Sequence, residues 1–209
     1  DDFGQCADQG EEGMTGMPTL FRRRSDALAA DNQTADEVVR FWRDAGAEQW
    51  FRQDPRFDQR FRARFLGLHL AAARRERDDW LKTPESALAL MILLDQFPRN
   101  AFRNTAHMYA TDPLARRFAR IAIAANYMQA VEPSLRLFFC LPFAHSENLA
   151  DQDLSVALNA QLGPAERAHA EGHRDIIRRF GRFPHRNQLL LRDTTTQEQA
   201  FLEQGGFAG

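Results

Sequence analysis

Apolar residues recur along most of this chain at spacings of three and four, and the segments they mark open on helix-start signals. Thr34-Ala35-Asp36-Glu37 reads as a capping box ahead of Val38, Val39, Phe41 and Trp42. Asp54-Pro55 supplies an N-cap with proline in the first helical turn. The helix that follows carries Phe57, Phe61, Phe65, Leu68 and Ala72 on one face and is expected to run to about Arg75. Thr83-Pro84 repeats the start signal. From Ala87 to Leu94 every position is apolar or small, so this segment is expected to be a central helix buried on all sides. Pro98 disfavours helix at Phe97, which places the expected end near Asp95 or Gln96.

The second half follows the same grammar. Asp112-Pro113 begins a helix with Leu114, Phe118, Ile121 and Ala125 on one face and Arg116, Arg117 and Arg120 on the other. Pro133 opens a short apolar helix to Leu141, which Pro142 is expected to break. Ser146 is positioned to cap a helix from about Glu147 to Leu162, closed by Gly163. Pro164 to Arg179 is helical again, with Gly181 past its end, and Thr195-Thr196-Gln197-Glu198 is a second capping box. No segment alternates at period two long enough to argue a strand. The pattern predicts an all-α chain of seven to nine helices, joined as antiparallel hairpins in an irregular bundle or a helical-repeat superhelix.

Composition bounds this picture without redirecting it. The 209 residues suffice for one well-buried domain, expected over 34–209. Residues 1–33, rich in Gly and charge, are expected to be a tail, with Met14 or Met17 as a natural start. Formal net charge is -2, which gives no bulk pull toward nucleic acid or anionic membrane. The longest apolar stretch is too short to span a bilayer. No basic-then-apolar leader opens the sequence. Cys6 lies in the polar tail and Cys140 in an apolar run, so two free thiols and a cytoplasmic setting are expected.

The chemistry concentrates where the apolar segment turns polar. Phe97-Pro98-Arg99-Asn100 is echoed by Phe183-Pro184-His185-Arg186-Asn187. Asp95 falls at a helix end, where the macrodipole disfavours an anion, and in a buried helix it needs donors. Arg99, Arg103, Arg182 and Arg186 are the candidates. On one reading they lock two helical hairpins together, with Asn100 and Asn187 capping the helices that follow. On the other, more Arg converge than Asp95 can satisfy. A pocket of Asp95, Gln96, Arg99, Asn100, Arg103, Arg182, Arg186 and Asn187 would then take a small anion or an acidic peptide terminus.

His145, Glu147, His173 and His185 form a second candidate set, suited to acid–base or metal-assisted hydrolysis. His169 and His173 share a helical face, but the sequence between them is not a His-Glu-x-x-His motif. No metal set and no cofactor is implied by spacing alone. Ser146 reads as a cap rather than a nucleophile, and His69 and His107 as incidental. No phosphate-cradling Gly loop or dinucleotide fingerprint is present.

With these motifs the chain resembles the family catalogued as domain of unknown function 924. The matching residues are Phe41-Trp42, Trp50-Phe51, Asp58, Trp80, Leu94 to Asn100, Arg103, Asp112, Leu141-Pro142-Phe143 with His145-Ser146-Glu147, His173, Phe180 to Asn187, and Phe201-Leu202. The resemblance spans roughly residues 36–207. It implies an all-helical, tetratricopeptide-like fold in a soluble bacterial protein, and no established activity, substrate or cofactor. Two positions depart from the pattern: Ala144 stands where the family tends to have Glu, and Leu191 where it tends to have Gly.

Overall fold

The computed structural model describes residues 34–207, and these form helices joined by turns and loops, with no strand among them. The tail expected over 1–33 lies outside the described residues. Helix α1 (Ala35–Ala45) opens on the predicted capping box, with both reciprocal bonds between Thr34 and Glu37 present. After the single-turn α2 (Ala47–Trp50), Trp50 Nε1 donates to the Trp42 carbonyl at 2.6 Å and ties the turn back onto α1. Helix α3 (Pro55–Ala73) is capped by Asp54, which accepts from the backbone of Arg56 and Phe57. Its Phe57, Phe61 and Phe65 form a continuous aromatic ladder. That ladder reaches Phe97, whose ring lies 5.0 Å from that of Phe61.

Helix α4 (Pro84–Met91) is the predicted central element: Ala87 to Leu94 are each 0% exposed. Helices α1 and α3 approach this run from one half of the chain. From the other come α6 (Asp112–Ala124), the one-turn α7 (Tyr127–Ala130) and α8 (Leu137–Ala144). Helices α9 (Leu149–Asn159) and α10 (Pro164–Phe180) pair as a hairpin outside α8. Gly181 closes α10 in the left-handed conformation its lack of a Cβ permits. Helix α11 (Thr196–Glu203) starts on the second predicted capping box.

The expected stop at Asp95 or Gln96 is overturned. The helix widens into a π segment, Ile92–Gln96, and resumes as α5 (Phe97–Ala101) with Pro98 inside it. Phe97 N donates five residues back, to the Ile92 carbonyl, and Pro98 has no N–H to give. The carbonyls of Leu93 and Leu94 thereby lose their helical donors. Side chains from two other elements replace them: His69 Nδ1 donates to Leu93 O at 2.8 Å, and Thr111 Oγ1 to Leu94 O at 2.6 Å. A proline is accommodated here because the tertiary structure satisfies the backbone that it orphans.

Counting α4 through α5 as one helix, the described residues hold ten α-helices rather than seven to nine. The short ones carry too few apolar repeats to register as periodic. Pro142 sits inside α8 instead of ending the helix that Pro133 opens. That segment divides into a 3-10 turn at Pro133–Leu135 and α8 proper. The cap of α9 is Asn148, not Ser146; Ser146 Oγ donates to Asp151 and accepts from Asn148 N. His69, far from incidental, is fully buried, and burial pushes its pKa down to about 4.

Candidate functional site

The π segment aims Asp95 and Gln96 into the junction between α8, α6 and the second Phe-Pro motif. Asp95 is 1% exposed and fully engaged. Its Oδ1 accepts from His145 Nδ1 at 2.8 Å and lies 3.4 Å from Arg99, while its Oδ2 accepts from Gln96 Nε2 at 2.6 Å. Burial acts to raise the Asp95 pKa. The Arg99 charge, the His145 contact and these hydrogen bonds overcome it and hold the carboxyl well below the usual carboxylate range.

Arg99 is the hub. Its guanidinium grips Asp112 with both arms, at 2.9 and 3.0 Å, and also donates to the Asp95 carbonyl at 2.6 Å. The predicted need of Asp95 for Arg is therefore met by Arg99, with Asp112 as a second carboxylate on the same fork. Asp112 spends its side chain on this pair, and Thr111 takes the N-cap position of α6.

The other predicted Arg do not converge on Asp95. Arg103 forks onto Asp58 at 2.9 and 3.2 Å, joined there by Asn100, which donates to Asp58 at 2.7 Å rather than capping a helix. Arg182 forks onto Glu198, 2.6 and 2.8 Å away, on α11. Asn187 also turns to Glu198 and to Thr194 instead of capping. Glu147 holds Arg192 at 2.8 and 2.9 Å and accepts the Phe183 N–H. It is thus a structural tie between α9 and the second motif, not a free acid or base.

Arg186 is different. It is 6% exposed, and its guanidinium lies between the rings of Tyr109 and Phe183, 4.6 Å from each. Its nearest carboxylate oxygen, on Asp112, stands at 3.7 Å, beyond hydrogen-bonding distance, and its Nε is buried without a partner. Burial and the neighbouring Arg99 both push its pKa below the ordinary arginine value. Tyr109 had no signal in the sequence pattern. Its phenol, raised in pKa by burial against the opposing pull of Arg186 and Arg99, stands beside both cations.

Three histidines line the same junction. His145 follows α8, where its N–H closes the helix on Leu141. Burial and Arg99 lower its pKa, and Asp95 opposes them. His185 is held down to about 3 by burial and by Arg186, and its Nδ1 is buried without a partner. His173 is held down to about 4 by burial, and its Nδ1 donates to the His169 carbonyl one turn earlier. That bond fixes the His173 tautomer and leaves the lone pair on its Nε2. No group of three or more His, Cys, Asp or Glu among the described residues is placed to hold a metal ion.

Two clefts open elsewhere on the surface. One, of about 480 Å³, is lined by His173, Phe180, Phe201 and Phe207 among others; the second, of about 560 Å³, lies between α1 and α3. Neither is lined by Asp95, Arg99 or Arg186. At the motif junction Asp95 and Arg186 are buried, at 1% and 6% exposure. Leu191 takes a left-handed backbone conformation, at φ 53°, and is 95% exposed.

The fold and this junction define an all-helical protein built around a buried cluster of two carboxylates, Asp95 and Asp112, and two guanidinia, Arg99 and Arg186. The chain belongs to the family described as bacterial protein of unknown function (DUF924), which matches residues 38–206. The solved structure of a protein of unknown function from Agrobacterium tumefaciens is similar to it, with 57% identity and a TM-score of 0.79. That match covers 87% of this chain and 99% of the other. No curated protein matches. No helix among the described residues is long and apolar enough to cross a membrane.

Proposed function

We propose that this protein is a tetratricopeptide-like helical binding module that takes a small anionic group, a carboxylate or a phosphate, on Arg186. One observation carries the reading: a guanidinium that is 6% exposed, whose Nε is buried without a partner and whose nearest carboxylate, Asp112, stands at 3.7 Å. Burying a charge without acceptors costs several kcal/mol. Ring stacking returns only about 1 kcal/mol per face and leaves the buried Nε–H unused. Arg99 already occupies the near carboxylate of Asp112, so the missing acceptor has to come from outside the chain. An oxyanion meets that need, because its two oxygens match the planar fork of Arg. The burial of Arg186 favours the terminal group of a small molecule over a run of acidic side chains on a peptide.

Thermal-shift and calorimetric titration with phosphate, sulfate and succinate test this on the wild type and on Arg186→Met. The wild type is expected to be stabilised by at least one of these anions, and Arg186→Met to fold with no response. Equal responses in both proteins, or none in either, would sink the reading.

A further inference from the structure

Anion capture by Arg186 leaves the Asp95–His145 pair without a task, and its geometry is that of an oriented base. We propose that His145 is a general base, positioned by Asp95, and that the junction hydrolyses a small ester or amide whose carboxylate or phosphate end rests on Arg186. This rests on the anion-binding reading and adds a reaction to it.

The orientation is built from the backbone upward. Asp95 lies in the π segment, and Gln96 Nε2 holds its Oδ2. Its Oδ1 accepts from His145 Nδ1, 2.8 Å away, with Arg99 3.4 Å from the same oxygen. Proton donation from Nδ1 to a carboxylate fixes the imidazole tautomer and leaves the lone pair on Nε2. Asp95 is sealed, whereas the His145 side chain keeps 17% of its surface open. The ring also sits at the C-terminus of α8, where the helix dipole favours the imidazolium that forms on proton uptake. In the resting protein, burial and Arg99 keep His145 neutral near pH 7, the form a base requires.

The nucleophile is water. Ser146 is 2% exposed and its Oγ is committed to Asp151, and Cys140 is fully buried, its thiol pushed up to about 12. Nε2 takes a proton from water as the oxygen adds to the acyl carbon, and the carbonyl electron pair moves to its oxygen. Collapse of the adduct breaks the bond to the alkoxide or amine, which leaves with the proton from Nε2. The products are a carboxylic acid and an alcohol or amine. No oxidant or reductant enters.

The test uses mono-4-nitrophenyl succinate, its neutral methyl ester, and succinate itself. The wild type is expected to hydrolyse the anionic ester in preference to the neutral one. His145→Gln is expected to lower kcat/KM by about 100-fold or more while succinate still binds. Nitrogen-15 correlation spectra should show His145 as the Nδ1–H tautomer in the wild type, and as Nε2–H in Asp95→Asn. The spectra separate positioning from mere folding. If succinate binds but hydrolysis is the same in wild type and His145→Gln, the base is refuted and anion binding stands. If neither succinate, phosphate nor sulfate binds, the anion reading itself has failed; if phosphate or sulfate binds and succinate does not, anion binding stands and hydrolysis of a succinate-type ester is refuted. An Nε2–H tautomer in the wild type also overturns the proposal.

Discussion

The two Phe-Pro motifs share Phe, Pro, Arg and Asn, yet the structure uses them in opposite ways. In the first, Pro98 lies within a helix, and the π segment and its replacement donors hold the backbone around it. Arg99 is saturated by Asp112 and by the Asp95 carbonyl. In the second, Pro184 opens a 3-10 turn that runs Pro184–Arg186, and one additional residue, His185, separates Pro from Arg. Arg186 arrives between two rings without an acceptor. A shared motif thus yields a lock at one site and an open valence at the other. The difference comes from which carboxylates the tertiary structure brings within reach. Asp112 is already spent on Arg99 when Arg186 approaches it.

The contrast breaks most directly on paired substitutions. Arg99→Met leaves Asp95 and Asp112 buried without their shared cation, and removing one partner of such a network costs about 3–5 kcal/mol. Arg186→Met removes a cation that makes no hydrogen bond and leaves an apolar chain between two rings. Its cost is expected to stay below about 1 kcal/mol, and its sign could favour the fold, as for other buried charges replaced by apolar groups. Urea denaturation of the two variants measures both. Similar losses for the two would mean that Arg186 is part of the lock, and the contrast would be gone.

Acid sharpens the comparison by a second route. His69 serves the first region, and His173 and His185 border the second; their pKa values are held down to about 4, 4 and 3. Each is lower in the folded protein than the ordinary histidine value near 6.5. The unfolded chain therefore binds more protons between these limits, and stability is lost as pH falls from about 6.5 toward 4. Each group contributes up to about 1.4 kcal/mol per pH unit in that window. Asp95, with its carboxyl depressed by Arg99, adds a further loss only below about pH 4. Denaturation midpoints between pH 7 and 4 should fall steadily, and more shallowly in His69→Gln, where an amide can still donate to Leu93. A flat profile would show that these histidines are not buried as neutral groups.

Much of this was legible in the chain, and the rest fails for identifiable reasons. Local signals carried the all-helical fold, the caps at Thr34, Asp54, Thr83 and Thr195, and the burial of Ala87 to Leu94, because each depends on neighbours a few residues away. The demand of Asp95 for a cation was readable from its place in an apolar helix, and Arg99 one turn on answers it. Partner choice was not readable. Arg103, Arg182 and Arg186 are equivalent as letters, and only the packing of α3 and α11 sends the first to Asp58 and the second to Glu198. Tyr109 carries no pattern because its role is to lend a ring face to a residue 77 positions away, the difference between 186 and 109. Pro98 gave the wrong helix end because the rule for proline is local and its remedy is not.

That remedy supplies the smallest and most specific test. Leu94 O is orphaned by Pro98, and the Thr111 hydroxyl satisfies it from the start of α6 at 2.6 Å. Thr111→Val keeps shape and burial but leaves the carbonyl without its donor, at a cost of about 1–3 kcal/mol. Pro98→Ala should rescue much of that loss, because the restored N–H gives the helix a donor for the same stretch of backbone and removes the ring that blocked it. Alone, Pro98→Ala is expected to change stability little, since Thr111 already does the work. A double-mutant cycle by denaturation reads the coupling between the two positions. A cycle with no coupling would mean that Thr111 is an ordinary buried hydroxyl, and that some other feature holds the π segment at the base of Asp95.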